Sequence, residues 1–468
     1  MFVGRQRELS ELSRLYETDK FQCVIMYGRR RVGKTALIFE FIKEKEAIYF
    51  TGQETNAKDN LAGLSRSIFS ISNDFASLAP VFPSYSEALE AVFALSEKRR
   101  VIFVIDEYPY LAQSFRGVSS LLQTCIDKHK ETTKLFIILC GSSLSFMENQ
   151  VLGYKSPLYG RRTAQFRIMP FDFWQTREYL NDGNFNSEDV AILFGVTGGI
   201  PMYLSLMDKY LCAEENIKRT FLNPNGYLFE EPNNLLKQEC REPAQYNAII
   251  KAIAGGASRL SEISGKAGLE TALCSAYIAK LISVGIIKKE YPFRDEKSKK
   301  TIYSLGDGMF RFWYRFLPDR IELIQRGETD AAYSDFKTQI PAYMGSVFEK
   351  ICKQYLWKLN IAKQTPIFFT DAGRWWGNDK KKKEECEIDI VAANKDEAIF
   401  AECKWTNERV GADAIEKLIE RSDLLIFKKK YYYLFAKNSF TDNAKLKAVS
   451  EENITLVIYN DIYYQKDA

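Results

Sequence analysis

The 468-residue chain is 46% hydrophobic and 27% charged, the balance of an ordinary globular protein long enough for about two to four domains, which excludes a disordered or membrane-embedded class. Its 65 basic and 61 acidic residues leave a formal charge of +4, too even to mark a nucleic-acid binder by itself, so any basic surface has to be local. A single histidine, His129, and nine cysteines without one C-x-x-C pair exclude Ser-His and Cys-His nucleophiles, zinc ribbons, most zinc hydrolase sites and a disulfide framework.

In chain order, "MFVGRQRELSEL" carries charge from Arg5 onward and has no apolar signal core, and no apolar run reaches bilayer length. The expectation is a cytoplasmic protein without a membrane span. Residues 21–28, "FQCVIMYG", read as a short strand, and "KTALIFEFIKE" as a helix. Between them Gly28, Gly33, Lys34 and Thr35 fit G-x-x-x-x-G-K-[ST]. In such a loop backbone N–H groups and the helix N-terminus cradle phosphates, Lys34 reaches the outer ones, and Thr35 ligates Mg²⁺.

"RRVIFVIDEY" supplies a second strand that ends in acid. Asp106 is placed to hold Mg²⁺ through water and Glu107 to polarise the water that attacks a γ-phosphate. The plainer alternative is a strand end followed by a surface glutamate. A third strand, "KLFIILCGSS", puts Ser142 or Ser143 beside the γ-phosphate as a sensor, although strands often end in such turns. In "YKSPLYGRRT", Arg161 and Arg162 have two readings: transition-state charge, supplied in cis or from a neighbouring subunit, or a structural ion pair.

Six short stretches in order, "FVGRQREL", "GRRRVGKT", "VIDEYPYL", "CGSS", "SPLYGRRT" and "TGGIPMYL", resemble the archaeal-type ATPase family, which is placed near the AAA+ and STAND P-loop enzymes. The resemblance covers about residues 1–225 and implies an α/β fold: a parallel sheet flanked by helices, then a helical lid containing Gly198, Gly199 and Pro201. It also implies that Gly4 and Arg5 lie near the adenine end of an ATP site. The expected ATPase core with its lid is residues 1–235.

From about Glu242 the pattern changes to short helices, and after the apolar series ending "LISVGII" comes the polar stretch "RDEKSKKTIYSL". Three helices and a β-hairpin describe a winged helix-turn-helix over 236–312. Its third helix, roughly 271–283, is set to enter a major groove, with a wing near Lys297, Lys299 and Lys300 on phosphates. That helix offers Thr271, Ser275, Tyr277 and Lys280 but no arginine to pair a guanine, which points to non-specific DNA contact. Such modules also serve as docking or lid elements.

Residues 387–405, "EIDIVAANKDEAIFAECKW", read as two strands joined by a turn near Lys395 and Asp396. Alternation puts Glu387 with Asp389 and Glu402 with Lys404, and equal distance from the turn sets Asp389 opposite Glu402. Such a pair can bind Mg²⁺, or Mn²⁺ in its place, with Lys404 orienting water or countering charge at a scissile phosphate. Upstream, Glu349 on the amphipathic helix "GSVFEKICKQYLWKL" can add a carboxylate. The order helix, hairpin, helix, strand resembles the PD-(D/E)XK nuclease fold. "VFEKICKQYL", "GRWWG", "EIDIVA" and "AECKW" resemble the DUF234 domain that often follows archaeal-type ATPases. Both cover about 313–468. The run Lys380–Lys383 is either a DNA-facing patch or a solvated loop.

The chain therefore reads as an ATPase whose nucleotide state controls a metal-dependent nuclease acting on nucleic acid, DNA foremost. The alternative is an ATP-switched regulator whose nuclease fold no longer cuts and whose Asp389, Glu402 and Lys404 form a structural ion cluster. Homo-oligomerisation is open in either case.

Overall fold

The computed structural model describes residues 2–71, 80–240, 242–298, 300–379 and 382–465. Lys299 of the expected wing, and Lys380 and Lys381 of the basic run, lie outside these residues. The chain forms two compact units, Met1–Phe171 with Ile200–Met202, and Asp172–Gly199 with Tyr203–Ala468. All nine cysteines are free. Among the described residues no helix is long and apolar enough to cross a membrane.

The first unit is built on β1 (Gln22–Tyr27), β2 (Ala47–Thr51), β3 (Ile102–Asp106), β4 (Phe136–Gly141) and β5 (Ala164–Arg167). Their spatial order is β2-β3-β4-β1-β5, and every pairing is parallel. The central strands are buried on both faces, which is why they read as continuous apolar runs. Alternate residues feed two cores. Cys23, Ile25, Phe103 and Ile105 join the cluster on one face, whereas Val24, Met26, Ile102 and Val104 join the other. Because β1, β3 and β4 run the same way side by side, the segments that leave their C-terminal ends converge.

The second unit begins with helices, among them Ser187–Thr197 and Tyr227–Glu239. Next come the helices Pro243–Ala254, Leu260–Ala267 and Thr271–Ser283, and an antiparallel pair, β6 (Ile287–Glu290) with β7 (Ile302–Leu305). The third of these helices spans the residues its apolar series leads one to expect. Helices Gly308–Phe316 and Ile340–Ile361 follow.

A mixed sheet closes the chain: β8 (Asp371–Asp379), β9 (Glu384–Ala393), β10 (Glu397–Lys404), β11 (Lys429–Ala436) and β12 (Ile454–Ile458), in the order β12-β11-β10-β9-β8. β8, β9 and β10 are antiparallel neighbours. β10, β11 and β12 are parallel, and the helices Ala412–Ser422 and Asp442–Ser450 make the crossovers that parallel strands require. Ile388, Val391, Phe400, Leu434 and Ile415 fill the core under these helices.

Between Gly373 and Trp375 the register shifts: β8 advances two residues while its partners on β9, Val391 and Ile388, are three apart. β9 thus carries a bulge at Asp389–Ile390. A bulge re-aims side chains locally, and here Asp389 and Ile390 both line a cavity while their neighbours Ile388 and Val391 stay in the core.

Candidate nucleotide site and carboxylate cluster

Gly28 ends the run of β1 at a place where no side chain fits, since a Cβ there would lie 2.3 Å from the carbonyl oxygen of Ile168. Gly33 sits at φ 88° and starts the helix Lys34–Ile42, a left-handed conformation that glycine adopts without penalty. Lys34 is 6% exposed, and its Nζ donates to the carbonyls of Gly28 and Arg29, each at 2.9 Å. Burial pushes its ammonium below the ordinary value, and the carboxylates of Glu107 and Asp106 work against that shift. Among the described residues the Lys34 ammonium has no carboxylate at contact distance, so the cradle suits an anion.

Asp106, at the end of β3, is buried. Its Oδ2 accepts from Thr35 Oγ1 at 3.0 Å and from Tyr49 Oη at 2.6 Å, and its Oδ1 accepts the Glu107 N–H at 2.9 Å. A hydroxyl and a carboxylate at this spacing are a hard oxygen pair of the kind Mg²⁺ prefers. Glu107 has φ 47°, a strained value for a non-glycine residue that is held in place by its surroundings. Its Oε2 accepts from Ser142 Oγ at 2.9 Å and from the Ser142 N–H at 3.3 Å. The structure thus brings together Lys34, Thr35, Asp106, Glu107 and Ser142 from three separate stretches of sequence.

Gly4, at φ 72°, precedes a nearly buried Arg5 whose Nη2 donates to the carbonyls of Val32 at 2.9 Å and Met169 at 2.6 Å. Its guanidinium also lies 4.9 Å from the Phe171 ring centroid. Arg5 therefore ties the phosphate loop, at Val32, to the segment after β5. Arg161 forks onto Asp127 at 2.8 and 3.2 Å, so the ion pair is the arrangement seen in this chain. Arg162 reaches the Tyr159 ring. Tyr49 was not legible as a site residue, because only the β2–β3 pairing of Thr51 with Asp106 brings it alongside.

In the second unit the β9–β10 ladder runs from Ala393–Ala398 to Ile390–Ala401 and stops one step short of Asp389 and Glu402, which the turn position sets opposite each other. Asp389 Oδ2 accepts the Cys403 N–H at 2.8 Å. Glu402 is buried, with Lys404 Nζ at 2.6 Å on Oε1 and Arg421 Nη1 at 3.5 Å on Oε2. Burial works against the Lys404 ammonium, yet Glu402 outweighs it and holds Lys404 above its ordinary value.

Burial, reinforced by Glu402 and Glu349, pushes Asp389 up to about 8. Glu349 is also raised, by burial first, with Arg374 opposing and Glu387 adding to the shift. Glu349 and Asp389 line one cavity. Among the described residues no group of three or more His, Cys, Asp or Glu is gathered closely enough to hold a metal ion. The three carboxylates expected to share a metal are thus not a preformed triad, because Glu402 is turned onto Lys404 and Arg421. Arg421 and Arg374, the latter paired with Glu387, escaped the sequence reading because they come from a crossover helix and a neighbouring strand.

Of the expected helix-turn-helix residues, Thr271 and Ser275 are exposed, and Tyr277 donates its hydroxyl to Glu242. Lys300 donates to Asn378 Oδ1 at 3.1 Å, and the Lys300 carbonyl accepts from the Trp376 indole at 2.9 Å. This part of the expected wing is therefore seated on β8.

Residues 2–207 match the family described as an ATPase domain predominantly from Archaea, and residues 313–415 match DUF234, described as archaeal and bacterial proteins of unknown function. An uncharacterized protein of Methanocaldococcus jannaschii, MJECL04, is 34% identical over 413 residues, 86% of this chain and 88% of its own. The solved structure of a Walker-type ATPase of Pyrococcus abyssi, 22% identical, superposes with a TM-score of 0.52 over 67% of this chain and 96% of that one, a likeness of fold. With the loop, the strand-end acids and both family segments in one chain, this protein belongs to the archaeal P-loop ATPases that carry a C-terminal DUF234 domain, and it is an ATP-hydrolysing enzyme.

Proposed function

We propose that the nucleotide state of this ATPase controls a metal-dependent, nuclease-like domain that acts on nucleic acid, DNA foremost. The chain is then three modules: an ATPase core with a helical lid (1–235), a winged helix (236–312) and a PD-(D/E)XK-like domain (313–468). The observation that carries the reading is the convergence of Asp389, Glu402 and Lys404 at the end of the β9–β10 hairpin. Helix, antiparallel hairpin, crossover helix and parallel strand in that order support the nuclease-like assignment.

In the ATPase core, Lys34 exchanges the carbonyls of Gly28 and Arg29 for the outer phosphates. Thr35 and Asp106 would hold Mg²⁺, which would supply charge neutralisation of the phosphates when bound. Glu107, oriented by Ser142, accepts a proton from the attacking water. Arg161 supplies charge across a subunit boundary if the protein assembles. In the nuclease-like domain, Asp389 and Glu349 offer carboxylate oxygens to one cavity, and such a donor set suits Mg²⁺ or Mn²⁺. Lys404 positions the nucleophilic water or counters charge on the scissile phosphate.

A second reading, an ATP-switched DNA- or protein-binding regulator with an inactive nuclease fold, is favoured by one observation. Glu402 is already neutralised by Lys404 and Arg421. Cleavage of plasmid and single-stranded DNA by wild type and Glu402→Ala, in Mg²⁺ or Mn²⁺ with and without ATP, separates the two. Cutting by wild type alone supports the nuclease. Intact substrates alongside continued ATP turnover support the regulator.

A further inference from the structure

The cavity that receives Glu349 and Asp389 is about 580 Å³ and lies wholly within the second unit. Six basic residues line it, Lys288, Arg311, Arg315, Lys350, Lys353 and Arg374, against three acids, Glu290, Glu349 and Asp389, a formal excess of three positive charges (six minus three). Two of the cations are already neutralised: Lys288 by Glu290 at 2.9 Å and Arg374 by Glu387. The other four come from two helices. Arg311 and Arg315 are one turn apart on Gly308–Phe316, and Lys350 and Lys353 one turn apart on Ile340–Ile361.

Among the described residues none of these four has a carboxylate partner. Arg311 donates Nη1 to Ser346 Oγ at 2.9 Å and lies 4.7 Å from the Tyr343 ring centroid, while its buried Nε has no partner. Lys350 lies over the Phe194 ring. Lys350 opens onto the cavity, which Arg311 and Lys288 also line. Burial holds the Lys353 ammonium below its ordinary value. Cations crowded in this way are stabilised by a bound anion, and charge-assisted contacts to phosphate are the strong form of such binding. A positively charged groove that tracks the backbone is what holds single-stranded nucleic acid.

The size of the cavity decides which nucleic acid enters. Pockets of about 300–1,000 Å³ enclose drug-sized ligands, which is room for one or two nucleotides. A duplex, whose major groove alone is about 12 Å wide, does not fit.

We propose that this cavity takes the phosphorylated end of a single nucleic-acid strand, with the terminal phosphate among Arg311, Lys350 and Lys353, so that a strand terminus is what reaches Glu349 and Asp389. The proposal rests on the nuclease-like reading for its consequence, and on the cavity alone for its binding.

The test is fluorescence anisotropy of the full chain without divalent metal, using a short labelled single strand with a terminal phosphate. The competitors are the same strand with hydroxyl ends, a circularised strand, a blunt duplex and a nucleoside monophosphate. The phosphorylated strand is expected to bind about ten-fold more tightly than the hydroxyl-ended or circular one, a difference of about 1.4 kcal/mol. One phosphate neutralised at the strand end predicts a shallow salt slope of about −0.7 for a single strand. Lys350→Gln and Lys353→Gln should each weaken end binding with an unchanged thermal midpoint, and Lys353→Arg should restore it.

Equal competition by the circle or the duplex overturns the proposal. So does a monophosphate that binds as tightly as the strand, which would make this a free-nucleotide site. End binding without cleavage in any metal would remove the nuclease reading and leave the cavity assignment standing. Cleavage of closed circular DNA without end preference would do the reverse.

Discussion

Ser142 Oγ donates to Glu107 Oε2 at 2.9 Å, joining the residue after β4 to the residue after β3. Glu107 is otherwise fixed by its own backbone, at a left-handed φ of 47°, so both the main chain and the hydroxyl aim one carboxylate oxygen. Glu107→Gln keeps the size and the Ser142 contact but loses the base. It should bind ATP as wild type does and hydrolyse it about 10²-fold or more slowly, the range for a lost general base. Unchanged turnover in steady-state phosphate release would remove Glu107 from that role.

Lys34 and Gly28 act on binding by different routes. Lys34→Ala removes the only loop ammonium and leaves two carbonyls without it, so tight ATP binding should be lost while the fold remains. Gly28→Ala forces a Cβ to 2.3 Å from the Ile168 carbonyl oxygen, which backbone has to yield to. Its expected signature is a lowered thermal midpoint together with weakened ATP binding. Calorimetric titration and thermal unfolding of both variants check this, and a Gly28→Ala protein of wild-type stability would show that the loop has slack.

Much of this was legible in the sequence, for identifiable reasons. Buried parallel strands announce themselves as apolar runs, and the loop after β1 has fixed spacing, so the nucleotide residues could be named from order alone. The register that carries the β9–β10 ladder to within one step of Asp389 and Glu402 followed from counting back from the turn near Lys395. What could not be counted was the bulge at Asp389–Ile390, because it depends on how β8 meets β9 across Gly373 and Trp375. Nor could the partners of Glu402 be read, since Arg421 sits on a helix nineteen residues away in sequence. Long-range neighbours of this kind, Tyr49 on Asp106 included, come only from the sheet order.

Arg161 separates a local role from an intersubunit one. Its pair with Asp127 is partly exposed, and such pairs contribute about 0–1 kcal/mol. Arg161→Ala should therefore leave the thermal midpoint nearly unchanged. If the arginine serves a neighbouring subunit, ATP turnover per chain rises with protein concentration in wild type and stays flat and low in the variant. Wild-type turnover in the variant at every concentration would leave Arg161 with the structural role alone.

Asp389 makes the stability of the second unit depend on pH in a direction opposite to that of most carboxylates. Its carboxyl is pushed up to about 8 by burial, with Glu402 and Glu349 adding to the effect, whereas an unfolded aspartate titrates near about 3.9. Between those values the folded chain keeps a proton that the unfolded chain has released. The stabilisation from this group is therefore fully present below about pH 4 and is lost as pH rises through about 8. Asp389→Asn removes the ionisation, so its unfolding free energy should gain on wild type as pH is raised from about 5 to about 9, by at most about 1.4 kcal/mol per pH unit, and its thermal midpoint should rise with it. A divalent cation favours the ionised carboxyl, so Mn²⁺ should raise the wild-type midpoint at about pH 8 and leave that of Asp389→Asn in place. Parallel pH profiles for the two proteins would mean that Asp389 is already ionised in the fold. An Mn²⁺ response that survives in Asp389→Asn would put the cation elsewhere.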